Sequence, residues 1–322
     1  MKKIEIQKND AGSRFDKYLK KLFVKASGGF IYKMLRKKNI TLNGAKSDGR
    51  EILKAGDCVE VFFSDETFAK FTQSGQEKKS KLDFYRHIQV PKLDIIYEDN
   101  DLLLINKPAN LLSQKANATD ISANEILIAY MVQNRMLDEE TFATFHPSVC
   151  NRLDQNTTGI LTFGKSKSGV QLLSKALKER SAHKYYYAIV KGKFAQNGIF
   201  EGYLYKDELR NVVTISKDPR EQADPIKTGF QLKAYDPSQD LSLIEIELFT
   251  GKTHQIRAHL AQIGHPIIGD YKYGERSVND VYKRKYGVQS QLLHAYKLEL
   301  ADVGTYLAPL PETFLQFFPD IK

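Results

Sequence analysis

The sequence predicts an α+β protein: a small N-terminal α+β module, a linker, and a larger α+β domain with a mixed, mainly antiparallel sheet. Three observations carry this. Beyond residue 91, strand-like apolar runs outnumber helical ones and lack the regular βαβα cadence of a doubly wound fold. Residues 1–64 hold 15 Lys and Arg against 7 Asp and Glu, a local charge of +8 in a 322-residue chain whose net charge is +9. Residues 65–90 are rich in Lys, Gln and Ser and show no sustained apolar period, as a linker would. The expected division is therefore 1–64, a linker over 65–90, and 91–322.

In the first module Phe15, Tyr18, Leu19, Leu22 and Phe23 recur at helical spacing, and Ile31, Met34 and Leu35 do so again. Ile40 and Leu42 ahead of Asn43-Gly44 read as a strand entering a turn, and Gly56-Asp57 before Val59 and Val61 as a turn and a second strand. The polar face of the second helix carries Lys33, Arg36, Lys37 and Lys38. A cluster of this size alone is an ordinary solvated face. The regional charge shifts the balance toward a polyanionic partner held through its phosphates.

In the larger domain, strands are expected at 102–105, 160–163, 185–190, 212–215, 229–234 and 243–249, from their β-branched and aromatic content. Helices are expected at 122–133, 166–180 and 253–263, the middle one placing Val170, Leu173, Ala176 and Leu177 on one face.

Several function classes are excluded. No apolar run approaches the ~18 residues of a membrane span, and residues 1–10 alternate charge with isoleucine rather than forming a secretory signal. Cys58 and Cys150 are far apart and form no C-x-x-C pair, which fits a reducing cytoplasm and argues against structural zinc. His254 and His259 are five apart, His146 and Cys150 are separated by Pro147, and no G-x-S-x-G elbow occurs, so each histidine reads as an ordinary surface or core residue. Residues 159–166 satisfy the P-loop pattern G-x-x-x-x-G-K-[ST]. Yet Ile160, Leu161, Thr162 and Phe163 are mostly strand formers, whereas a P-loop must curl its amides around phosphate. A P-loop nucleotide-binding enzyme is the weakest reading, and no cofactor or metal is expected.

Arg14-Phe15-Asp16-Lys17-Tyr18-Leu19, the segment 31–38, Ile40-Thr41-Leu42-Asn43-Gly44 and Gly56-Asp57 resemble an S4 RNA-binding domain over residues 12–63. The resemblance implies a module that grips structured RNA, with Arg14 beside the four basic residues of the second helix.

Cys150-Asn151-Arg152-Leu153-Asp154-Gln155-Asn156-Thr157-Thr158-Gly159 resembles the catalytic motif of the RluA-type pseudouridine synthases. On its own, an Asp in such a loop could simply cap a turn. Three further segments resemble that family in the same order: Tyr97-Glu98-Asp99 through Asn106-Lys107-Pro108, Lys184-Tyr185-Tyr186-Tyr187-Ala188, and 251–260 running on to Asp270. The sequence departs from the family pattern at Asn151, where many members have His, and at Asn110, where Gly is usual.

The resemblance implies a pseudouridine synthase fold and a cofactor-free isomerisation of uridine in RNA, in a monomer. Large-subunit ribosomal RNA is the expected substrate and transfer RNA a second one. Asp154 would be the catalytic carboxylate, attacking C1′ or removing a ribose proton, and Arg257 its fixed cation. Tyr186 would offer an aromatic face and a hydroxyl to the base, and Arg152 would hold a phosphate or an internal salt bridge. The competing reading is a catalytically idle RNA-binding assembly factor.

Overall fold

Helical spacing at the N-terminus yields two helices whose apolar faces are buried: α1 (Phe15–Leu22) through Phe15, Tyr18 and Leu19, and α2 (Gly28–Arg36) through Ile31, Met34 and Leu35. The protein is described by a computed structural model covering residues 1–72, 81–207, 212–219, 223–301 and 303–321. β1 (Lys2–Glu5), β2 (Ile40–Leu42) and β3 (Cys58–Val61) form an antiparallel sheet in the order β1-β3-β2. Both helices share one apolar core with Ile40, Val59 and Val61.

α2 ends two residues before the basic cluster does. Lys37 is its C-cap and Lys38 takes a left-handed φ of 59°, so these two follow the helix instead of riding on its face. The chain turns there because Lys38 N bonds to Leu35 O and Asn39 N to Met34 O on the way into β2. Lys33, Arg36, Lys37 and Lys38 are all exposed, and among the described residues none forms an ion pair. They crowd a helix C-terminus, whose unpaired carbonyls favour positive charge. Arg14 differs, giving Nε and Nη2 to Asp16 at 3.1 and 3.0 Å.

The described part of 65–90 is not the structureless linker its composition suggests. It carries α3 (Asp65–Phe71), whose N-cap Ser64 accepts a bond from Thr67 N at 3.2 Å, and α4 (Asp83–Arg86). Phe68 and Phe71 join the N-terminal core, the Phe71 ring lying 4.2 Å from that of Phe30. Two aromatics anchor this segment, too few to register as an apolar period.

The chain divides into two units. One comprises 1–91, 124–148 and 164–171, the other 92–123, 149–163 and 172–322. The first therefore takes in the 65–90 stretch, most of α5 (Ala123–Gln133), and α6 (Glu139–Thr144), an element without a clear sequence signal.

The second unit is organised by a large sheet. Its strands are β4 (Ile95–Glu98), β5 (Leu102–Lys107), β6 (Ser148–Val149), β7 (Thr158–Gly164), β8 (Ala182–Lys191), β9 (Gly198–Asp207) and β10 (Val212–Ser216). They continue with β11 (Asp224–Asp236), β12 (Leu241–Leu248), β13 (Leu293–Leu300) and β14 (Gly304–Leu307). The order is β10-β9-β11-β12-β8-β13-β7-β5-β4, with β14 on β13 and β6 on β7. β7 runs parallel to β13, while β8 through β12, β13 with β8, and β4 with β5 pair antiparallel. The helices are α7 (Lys167–Lys178), whose first five residues fall in the first unit, α8 (Gln255–Gln262), α9 (Arg276–Tyr286) and α10 (Glu312–Leu315). The result is an α+β fold with a mixed, mainly antiparallel sheet. The expected strands are all present, and Leu173, Ala176 and Leu177 of α7 pack against Leu102, Leu104 and Ile160.

The P-loop-like segment is extended: residues 159–163 lie in β7. Gly159 (φ 108°) allows that strand to meet β13, since a Cβ there would fall 2.2 Å from Ala295 O. No described helix is long and apolar enough to cross a membrane.

Candidate active site

The loop between β6 and β7 is held from beneath. Ser113 Oγ donates to Leu153 O at 2.8 Å and accepts from Leu153 N at 3.0 Å. Asn151 Oδ1 accepts from Thr162 N at 2.7 Å and Thr162 Oγ1 at 3.0 Å, and its Nδ2 donates to Ile160 O at 3.2 Å, so this residue ties the loop to β7. Lys107, fully buried at the end of β5, donates to Pro108 O, Leu111 O and Gln155 O at 2.8, 2.8 and 2.9 Å. Burial pushes its pKa down to about 7 while the Asp154 carboxylate pulls the other way. Three acceptors match the three N–H bonds of an ammonium, which a neutral amine cannot supply. Asn110 takes the left-handed conformation expected of a glycine, with φ 62°, and accepts from Gln155 Nε2 at 3.1 Å.

These restraints present Asp154, whose side chain is 24% exposed, to an open cleft of about 410 Å³ lined also by Arg152, Tyr186, Gly251, His254 and Arg257. α8 supplies the opposing cation. Its first residue, Gln255, is anchored by bonds from Thr250 Oγ1 (2.9 Å) and Lys252 N (3.1 Å) and by its own Nε2 to Thr228 Oγ1 (3.0 Å). Two residues on, Arg257 gives Nη1 to Asp154 Oδ2 at 2.8 Å, and Nε and Nη2 to Asp270 at 2.7 and 2.9 Å. Burial disfavours the guanidinium charge, but the two bonds to Asp270, together with Asp154, outweigh it and raise the Arg257 pKa above its ordinary value. Asp270 is buried directly after Gly269, whose φ of 82° and close approach to Ser290 O leave no room for a Cβ.

Tyr186 in β8 is 5% exposed and also lines the cleft. Burial, reinforced by Asp154, drives its hydroxyl pKa upward, so it stays protonated at neutral pH. Tyr185 and Tyr187 belong to the other face of the strand: Lys297 sits over the Tyr185 ring, and Tyr187 stacks on Tyr296 with centroids 4.0 Å apart.

Arg152 is exposed at the cleft, and no ion pair engages it among the described residues. Asp154, Tyr186, Arg257 and Arg152 thus come together. Arg14, Lys33, Arg36, Lys37 and Lys38 belong to the other unit.

Four contributors escape a residue-by-residue reading. Lys107 and Asp270 lie within recognisable motif segments but act through the fold. His254, read from the sequence as an ordinary surface or core histidine, is hydrogen-bonded and also lines the cleft: it is the N-cap residue of α8, in a left-handed conformation (φ 55°), with Nε2 4.0 Å from Asp154 Oδ2. Tyr273 OH accepts from Val213 N at 3.0 Å and is hydrogen-bonded to His254 Nδ1 at 2.9 Å. Burial lowers the His254 pKa, with Arg257 and Lys272 adding to the effect and Asp154 opposing it. His259, by contrast, is a core residue paired with Thr228 Oγ1 at 3.2 Å. Among the described residues no group of three His, Cys, Asp or Glu is placed to hold a metal ion.

Comparison with known proteins identifies the family. Residues 101–262 match the family model described as RNA pseudouridylate synthase. The ribosomal large subunit pseudouridine synthase C of Vibrio cholerae is 29% identical over 299 residues, covering 92% of this chain and 87% of the relative. The ribosomal large subunit pseudouridine synthase D of Borreliella burgdorferi is 30% identical, covering 94% and 88%. Among solved structures, human RNA pseudouridylate synthase domain containing 4 shares the fold, with a TM-score of 0.55 and 22% identity over 69% of this chain and 90% of that one. With the match spanning half the chain and the relatives nearly all of it, the chain belongs to the RNA pseudouridylate synthase family, isomerases that convert uridine in RNA.

Proposed function

We propose that this chain converts uridine to pseudouridine in large-subunit ribosomal RNA, with Asp154 as the catalytic carboxylate. The single observation that supports the site is the Asp154–Arg257–Asp270 chain at the floor of the cleft, with Tyr186 beside it. The substrate class is supported by the ribosomal large subunit synthases to which the chain is similar.

The reaction breaks the N1–C1′ bond, turns the base and joins C5 to C1′. A proton leaves C5 and N1 gains one, so the change is redox neutral. Asp154 must be ionised to attack C1′ or to take a ribose proton, and Arg257, held by Asp270, provides the adjacent positive charge. The protonated Tyr186 hydroxyl can donate a hydrogen bond to the base as it turns and take part in moving the C5 proton. A target uridine must leave its stack to enter, which costs a few kcal/mol and is offset by contacts to the surrounding RNA.

The first unit serves as an S4-like grip on structured RNA, through Lys33, Arg36, Lys37 and Lys38 at the end of α2, with Arg14 on the same module. Arg152 contacts phosphate at the cleft mouth.

The test is a map of pseudouridines across ribosomal and transfer RNA from cells with and without the gene. Loss of sites in the large-subunit RNA, restored by the wild-type gene but not by Asp154→Asn, is the expected result. Loss confined to transfer RNA would reassign the substrate, and no loss anywhere would overturn the reading.

A further inference from the structure

β8 presents two different electrostatic surfaces. On the face away from the cleft the charged groups are paired: His183 with Glu247 at 3.0 Å, Tyr185 with Glu299 at 3.5 Å, and Lys297 with Glu299 at 3.0 Å. On the cleft face, two residues before Tyr186, stands Lys184, a half-buried lysine for which no hydrogen bond or ion pair occurs among the described residues. Its Nζ lies 3.6 Å from the point a Cβ would occupy on Gly251, which lines the Asp154 cleft. Burial, and after it the nearby cation Arg180, drives the Lys184 pKa below the ordinary lysine value.

Arg180 opens onto a second depression of about 880 Å³, lined also by Lys217, Lys227 and Thr250. Thr250, at this depression, and Gly251, at the Asp154 cleft and next to the Lys184 ammonium, are consecutive residues. Of the other cations here, Lys227 pairs with Glu201 at 3.0 Å and Lys252 with Asp224 at 2.6 Å, while Lys217 and Arg152 form no ion pair among the described residues. A desolvated ammonium without a carboxylate, facing a like charge, is costly unless an anion arrives with the ligand. A strand whose uridine occupies the Tyr186 cleft must carry its next phosphodiester out past the border of that cleft, where Lys184, like Arg152, has no carboxylate partner among the described residues.

We propose that Lys184, backed by Arg180, binds a backbone phosphodiester of the RNA strand adjoining the uridine held at Tyr186. The proposal rests on the isomerase reading of the cleft. Lys184 is a substrate-binding residue here, so its loss acts on KM and on salt dependence more than on kcat.

The experiment uses the full chain and large-subunit ribosomal RNA transcribed with uridine tritiated at C5, following tritium release between about 50 and 200 mM salt. Lys184→Gln is expected to raise KM about tenfold, to change kcat far less, and to flatten the slope of log(kcat/KM) against log salt by about 0.7, the value for one neutralised phosphate on a single strand. Lys184→Arg should restore both quantities. An active wild type with an unchanged KM and slope in Lys184→Gln overturns the proposal alone, as does a loss confined to kcat. A wild type that releases no tritium overturns the isomerase reading and the proposal with it. If thermal melting shows that Lys184→Gln does not fold, the exposed Arg180→Gln replaces it, with a smaller rise in KM and a flatter slope expected, and an unchanged slope overturning the assignment.

Discussion

Asp270, buried and shielded from solvent, takes two of the hydrogen bonds of Arg257, at 2.7 and 2.9 Å, and thereby aims the remaining Nη1 at the cleft. The guanidinium is planar, so fixing one edge fixes the other. Asp270→Asn removes one charge-assisted acceptor and leaves a buried cation undercompensated. We expect about 3 kcal/mol loss of stability and a fall in kcat on the order of 100-fold as Arg257 tilts away from Asp154. Thermal melts and tritium-release kinetics on the same preparation measure both.

Asp154→Asn keeps the shape of the loop but removes the charge that Arg257 faces. Turnover should drop to background while affinity for ribosomal RNA, measured by filter binding, stays within about threefold of wild type, a difference of roughly 0.7 kcal/mol. Appreciable turnover would remove Asp154 from the chemistry.

Lys107→Met keeps the length of the side chain while leaving the carbonyls of Pro108 and Leu111 without their ammonium partner and weakening the hold on Gln155, the residue after Asp154. Stability should fall by about 2–4 kcal/mol, and kcat should fall with KM little changed. Urea titration together with steady-state kinetics tests this. An unperturbed kcat would show that the carboxylate is positioned by Ser113 and Asn151 alone.

His259 and His294 set a limit at low pH. Burial pushes each down to about 4 from the ordinary value of 6.5. Between those values the unfolded chain binds more protons than the folded one, so stability is complete above about 6.5 and declines as the pH falls toward 4. The loss is on the order of 3 kcal/mol per histidine. Urea midpoints measured from pH 7 to 4 should follow this slope, and His259→Gln should make it shallower.

Charge on the first unit should be felt as salt dependence. Replacing Lys33, Arg36, Lys37 and Lys38 together with Gln touches only exposed side chains, so the fold should persist. The slope of log affinity for ribosomal RNA against log salt should flatten by about 0.7–0.9 for each phosphate that is no longer neutralised. An unaltered slope would assign the RNA grip to the second unit.

Much of this molecule was legible from local chemistry. The helical spacing of Phe15, Tyr18 and Leu19, the alternation through Val59 and Val61, and the β-branched and aromatic runs of β7, β8 and β12 specify their elements because each period matches one backbone geometry. Asp154, Tyr186 and Arg257 stood out as parts of motif-like segments that resemble a known family. The same local logic rejected the P-loop, since residues 160–163 extend into a strand.

Tertiary structure decided what depends on partners distant in the chain. β9 and β13 carry glycine, charged residues and, in β13, the buried His294, and become strands because neighbours on both sides satisfy their backbone groups. α3 forms where composition suggests a linker, because Phe68 and Phe71 find a core to enter. The support of the site is of the same kind. Lys107 to Gln155, Ser113 to Leu153 and Arg257 to Asp154 span 48, 40 and 103 residues of sequence. No side chain announces such a pairing in advance. Its strength comes from burial, which makes an unpaired charge or donor costly and so holds Asp154 and Arg257 against each other.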